Sequence, residues 1–259
     1  GDVASAVTAI AISAGANISA GASLVDSASQ AREDVLVAVQ ITAAGEGARV
    51  DINATRADQA SANIVNIGAA ALGSLGVTYT RVRNTGRAEA FIGQPETFDA
   101  NGIALAPENV AATLIAASGV GIRTLDQTSA TANAQTAQGG GFLALAGANA
   151  VARNSSANAL TIDRTRITAT GTVALENLNR GVAQTDARGR AVGGAGALVT
   201  SIALSELNAA LTTDLNATAI SAERITVTTR VTAPQTVVEN VKAAAQTLTL
   251  AGGAAGSAA

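Results

Sequence analysis

A chain of 259 residues without His or Cys must do any chemistry with carboxylates, hydroxyls, arginines and a single amine. Nucleophilic catalysis needs a base beside the nucleophile, usually His. The only substitute is Lys242, in Glu239-Asn240-Val241-Lys242-Ala243, where a solvated surface lysine is the plainer reading. A glycosidase needs two acids on one face, about 5 Å or about 6.5–9.5 Å apart according to mechanism. Glu33 and Asp34 are adjacent, so in a strand they point to opposite faces. Asp51, Asp58, Asp126, Asp163 and Asp186 are read as turn residues whose carboxylates cap backbone. No stretch joins Asp to Arg, Lys and aromatic sugar platforms, so the chain is read as a non-enzyme with no cofactor.

Other ligand motifs are incomplete. Gly193-Gly194-Ala195-Gly196-Ala197 has the glycines of a calcium roll, but Leu198 stands where the ligating aspartate belongs, so no metal is assigned. No glycine segment runs into Lys-Ser or Lys-Thr, as a phosphate loop would. Thr78/Thr80, Thr168/Thr170, Thr226/Thr228 and Thr247/Thr249 form Thr-x-Thr pairs like those of ice-binding surfaces, yet their spacing is irregular and β-propensity accounts for them. Asn17, Asn53, Asn154 and Asn216 each open an Asn-x-Ser/Thr acceptor, a pattern that Asn-rich turns generate by chance.

The elements that would carry such residues are strands. Residues 35–42, 50–53, 77–82 and 224–231 alternate apolar and polar, and shorter runs at 160–162, 167–170, 173–175 and 247–250 do the same. Gly, Asn, Asp and Ser between them are turn formers. Residues 23–39 and 232–248 can be drawn as amphipathic helices, but Thr, Val, Asn and 26 glycines interrupt the alanines, and the strand reading prevails.

The apolar fraction is 48%, almost all Ala, Val, Leu and Ile, with only Tyr79, Phe91, Phe98 and Phe142 aromatic. Such side chains fill a thin core and not a broad one. A net charge of −3 with scattered arginines gives no nucleic-acid footprint. No apolar run approaches the roughly 18 residues of a membrane helix, so no membrane insertion is expected.

Glycine–alanine segments recur around Gly73, Gly141, Gly194 and Gly253, at intervals of 68, 53 and 59 residues. Similar strand pairs follow the first three. This predicts an all-β parallel β-solenoid (β-helix) over residues 1–259, with degenerate repeats of 53–68 residues and more than one coil per repeat. At about 20–25 residues per coil it would have roughly 10–13 coils and form a rod on the order of 50–60 Å long. The longest interval contains residues 93–107, read as an inserted surface loop. Its Gln94, Glu96, Phe98, Asp99 and Asn101 are the candidate ligand-binding residues, because function tends to ride on loops.

Strand pairs such as Arg166-Ile167-Thr168-Ala169 and Arg224-Ile225-Thr226-Val227, punctuated by Gly-Gly-x-Gly-Ala, resemble the repeats of filamentous-haemagglutinin-like and leukotoxin-like exoproteins of Gram-negative bacteria. The resemblance runs from about Ala6 to Ala255. It implies a right-handed β-solenoid, export to the cell surface or medium, and a role in adhesion, biofilm or surface filaments.

The expected function is therefore a non-catalytic structural or adhesive extracellular solenoid. The alternatives are a solenoid carbohydrate-active enzyme, a lyase or hydrolase, and a self-polymerising filament subunit. Expected partners are copies of itself end to end, or neighbouring repeats of the same chain, with cell-surface or matrix polysaccharide as the candidate ligand. Deleting residues 94–101 is expected to leave the thermal transition nearly unmoved, because surface loops tolerate length changes. A cooperative collapse in a melting experiment would show that the segment is structural.

Overall fold

In this computed structural model the backbone is described for residues 2–14, 17–36, 40–93, 113–232, 241–251 and 257–258, and the side chains for residues 41–93, 114–232 and 241–250. Among the described residues every regular element is a strand. The strands are β1 Asp2–Ala14, β2 Asn17–Leu36, β3 Gln40–Thr42, β4 Arg49–Ala70, β5 Gly73–Gly93, β6 Thr113–Ala117, β7 Gly119–Gly140 and β8 Leu143–Asp163. They continue as β9 Thr165–Ala169, β10 Thr172–Asn179, β11 Val182–Gly193, β12 Gly196–Asn216, β13 Ala219–Ser221, β14 Arg224–Val231, β15 Val241–Ala251 and β16 Ser257–Ala258.

They form three sheets, and every pairing is parallel. Sheet I runs β1-β4-β7 and then β10 and β11, which are flanked in turn by β14 and β15. Sheet II runs β2-β5-β8-β12-β16 and sheet III runs β3-β6-β9-β13. The chain visits I, II and III in order and then returns to I beside its previous strand. Val50 lies beside Val120, Val120 beside Val173 and Val173 beside Ile225.

Each expected repeat is thus a single pass through three sheets, which corrects the reading of several short coils per repeat. The long sheets are about 20 Å wide for five strands at about 4.8 Å each, not a rod of 50–60 Å. The reason lies in strand length. β4, β5, β7, β8 and β12 each run 21 or 22 residues without a break. Asn84, Asp126 and Asn154, of types that favour turns, sit inside these strands and point into the core.

Sheets I and II face one another, and the alternation seals one side of each strand. In β4 every second residue from Val50 to Asn66 is buried, and in β8 every second residue from Ala144 to Ile162. Where the short sheet III closes the gap, the core is broad and built from Ile52, Ile92, Ile115, Ile122, Leu160, Ile162, Ile167 and Leu175. Towards the turn joining sheets I and II it narrows to Ala60, Ala62, Ala130, Ala132, Ala134, Ala148, Ala150, Ala152 and Ala187, with Val82. Side chains this small let two sheets approach closely, which explains a core with so few aromatics.

Residues 94–112 separate β5 from β6, whereas Arg164 alone separates β8 from β9. The extra length of that pass falls here. The proposed loop 93–107 lies outside the described residues apart from Gly93, whose φ is 119°.

The turn between sheets I and II stacks on itself. Gly141 N–H donates to the Ala70 carbonyl and Gly194 N–H to the Gly140 carbonyl. A Cβ on Gly141 would collide with the Ala71 carbonyl, and one on Gly194 with the Gly141 carbonyl. Gly141→Val should therefore destabilise the fold by about 1–3 kcal/mol, read as a lower denaturant midpoint. Gly147→Ala meets nothing nearer than 3.6 Å and should leave the midpoint unchanged within about 0.5 kcal/mol.

Candidate functional site

Between the broad aliphatic end and the alanine zone lies a belt of buried polar residues. Its centre is Arg56, fully buried in β4. Its Nε meets Asp58 Oδ2 at 2.6 Å, its Nη1 meets Asp126 Oδ1 at 3.3 Å, and its Nη2 donates to Asn84 Oδ1 at 2.8 Å. Both carboxylates are as buried as the guanidinium.

The strands explain this placement. Arg56 and Asp58 share the inward parity of Val50, Ile52, Ala60 and Ala62. Asp126 is the partner of Arg56 on β7, and Asn179 the partner of Asp126 on β10. One column of sheet I thus reads Arg, Asp, Asn through successive passes. Asn179 Nδ2 donates to Asp126 Oδ2 at 3.0 Å and to Ser156 Oγ at 2.5 Å. Asn84 and Asn154 stack on sheet II and donate across the gap, to the Ser129 and Val182 carbonyls at 3.2 and 3.0 Å. Asn177 and Asn158 extend the belt, reaching the Thr212 and Leu178 carbonyls at 2.7 and 2.9 Å.

Burial raises the Asp126 carboxyl above the usual carboxylate range, and Arg56 together with hydrogen bonds from Ser156 and Thr128 pulls it back only in part. Such a belt does structural work. Its carboxylates converge on an arginine, not on an accessible groove.

Asp58 and Asp126 are therefore not turn residues, which corrects the sequence reading. Of the five aspartates, only Asp163 sits at a strand end; Asp51 and Asp186 are strand residues beside Arg49 and Arg188, at 3.3 and 2.6 Å. The signal was available in the parity of residues 50–64, where Arg56 and Asp58 fall in phase with the apolar positions. Thr78 and Thr80 are likewise buried, bonding across the gap to the Gln135 and Asn133 carbonyls at 3.3 and 3.1 Å. Asn154 is buried too, and so is no glycan acceptor.

Gln94, Glu96, Phe98, Asp99 and Asn101 lie outside the described residues, as do the side chains of Glu33 and Asp34. Lys242 is exposed on β15, and its carbonyl, not its ammonium, meets the Ser205 hydroxyl at 2.5 Å. Among the described residues no three acids gather as a metal site would require.

The outer face of sheet II carries a shallow open groove of about 440 Å³, lined by Thr85, Gly86, Ser155, Ser156, Ala157, Asn208, Ala209 and Ala210. Thr85, Ser155 and Asn208 share one column across three passes. The pairs Arg87–Glu89, at 2.7 Å, and Arg153–Glu206, at 2.9 Å, lie on the neighbouring columns. The groove mixes the Thr85 and Ser155 hydroxyls and the Asn208 amide with glycine and alanine, and Ser156 is turned inward to Asn179. No family model, no curated protein and no solved structure matches this chain.

Truncating Arg56 to Met strands two buried carboxylates and should destabilise by about 3–5 kcal/mol in equilibrium denaturation. The raised Asp126 pKa has the opposite pH signature from that of a stabilising carboxylate. The folded chain holds this proton more tightly than the unfolded one, so stability rises as pH falls from the raised pKa towards 3.8. That acid-side gain should be missing from Asp126→Asn when midpoints are compared across the window.

Proposed function

We propose that this chain is a right-handed β-solenoid with a non-catalytic structural and adhesive role at the bacterial cell surface, akin to the filamentous-haemagglutinin-like and leukotoxin-like exoproteins. The observation that carries the reading is the order of the three parallel sheets, each taking its next strand from the next pass. Continuous ladders of this kind make a stiff spacer, and the outer columns set polar side chains of successive passes at a fixed pitch. Polysaccharide is the proposed ligand, held on the hydroxyl- and amide-lined groove around Ser155 and Asn208.

Association through strand edges belongs to the same reading, whether with a copy of the chain or with neighbouring repeats. β16 pairs with only Ala197 and Leu198 of β12. The inward-facing Leu215, Ile225, Val227 and Val231 remain 43–51% exposed, a surface suited to a further pass of the same kind. Lys at Val7 and Thr249 should oppose such pairing.

Antibodies against the chain should label intact cells of the producing bacterium, and the purified chain should be retarded on immobilised matrix polysaccharide. Ser155→Trp, which fills the groove, should abolish the retardation without shifting the melting temperature. Labelling confined to permeabilised cells would overturn the surface assignment. Cleavage of the polysaccharide during the experiment would favour the carbohydrate-active enzyme.

A further inference from the structure

The outer face of sheet II changes character at one register column. Asp26, Arg83, Arg153 and Glu206 occupy that column in four successive passes. On the side towards the turn with sheet I, residues 17–25, 73–80, 143–152 and 196–205 contain no charge at all, and only Arg81 stands one column inside the boundary. Three of the four passes keep this half of the face uncharged, and the fourth admits only Arg81. Core packing does not demand it, because outward positions on the other half of the same strands carry arginine and glutamate.

The outward side chains of this half are mostly apolar and arranged in rows. Leu75, Leu145 and Leu198 form one column, a ridge of identical side chains. The next column is Val77, Gly147 and Thr200, where Gly147 leaves a one-residue notch between two side chains. Beyond it Tyr79, Asn149 and Ile202 form a second ridge. Leu198, Ile202 and Leu204 are 47%, 52% and 46% exposed, and Phe142 at the adjoining turn is 65% exposed.

We infer that this half of the outer face of sheet II is an interface on which a second copy of the chain packs face to face. Four strands at about 4.8 Å and about nine residues at about 3.3 Å give roughly 570 Å² per copy. That is at the upper end of the apolar patches found on monomers, about 300–600 Å². Two copies would bury roughly 1,100 Å², just above the approximately 1,000 Å² that a specific interface needs.

A two-fold axis would set this face against its own copy, as inner faces meet in stacked sheets. An anionic lipid surface fits less well, because the boundary column also carries Asp26 and Glu206, and Arg153 is paired with Glu206. A two-fold contact closes at two copies, whereas association through strand edges is head to tail and grows without limit. The inference does not rest on the surface role proposed above.

The test is sedimentation equilibrium of the unmodified chain, of Leu198→Lys/Ile202→Lys and of Gln127→Lys, the last on the outer face of sheet I. All three positions are exposed, so each protein should keep its melting temperature. The unmodified chain and Gln127→Lys should approach twice the chain mass with rising concentration and stop there. Leu198→Lys/Ile202→Lys should raise the dissociation constant about a hundredfold or more, because like charges would meet in a dry interface. A chain that stays monomeric throughout overturns the inference. So does open-ended growth that the lysine pair leaves unchanged, which would assign association to strand edges. Monomers that bind neutral phosphatidylcholine vesicles and lose that binding with the lysine pair would assign the face to lipid instead.

Discussion

Parallel pairing in fixed register sets each inward side chain about 4.8 Å from its counterparts in the passes before and after. Every column must therefore be filled by residues that tolerate one another at that distance. Alanine on alanine satisfies the demand in a narrow gap, as at Ala60 and Ala130. Asparagine on asparagine satisfies it at Asn84 and Asn154, because the amides donate across the gap to carbonyls. A buried charge is tolerable only if the next pass answers it. Arg56 is followed by Asp126 and then by neutral Asn179. Inside the described core no like charges stand in adjacent positions of one column.

This constraint explains which features were legible in the sequence. Alternation marked the strands, and the small aliphatic composition marked a thin core, because both are local consequences of facing a narrow gap. The interval of 53 residues between Gly141 and Gly194 was a true repeat, since these glycines stack in the same turn. The 68-residue interval was two short of the register, because Ala71 and not Gly73 occupies the equivalent position. The pass length was misread for a physical reason. Asn, Asp and Ser within a strand mimic turns whenever their inward partners come from another pass. Asp126 sits opposite residues 30 positions away, and no window along the chain reveals that its neighbour is Ser156.

The polar belt also divides the structure along its strands. On one side the aliphatic core is broad, sheet III closes it, and the outer surface carries most of the paired charges. On the other side the core is alanine, the turn is glycine-rich, and the outer face of sheet II carries only Arg81. A nearly uncharged surface over a thin core is poor protection against contact, yet three of the four passes keep it free of charge.

Repeat proteins commonly behave as chains of nearest-neighbour units, each able to open with little regard for units further away. The belt works against that here. Arg56 belongs to one pass, Asp126 and Ser156 to the next, and Asn179 to the one after, yet all are satisfied by a single network. Opening any of these passes leaves a charge or an amide in the others without its partner, in a setting where such loss is expensive. The three passes should therefore open together. A buried ion pair is weak evidence for added stability, but one shared between passes couples them. That coupling holds a stack with such a thin core in one register.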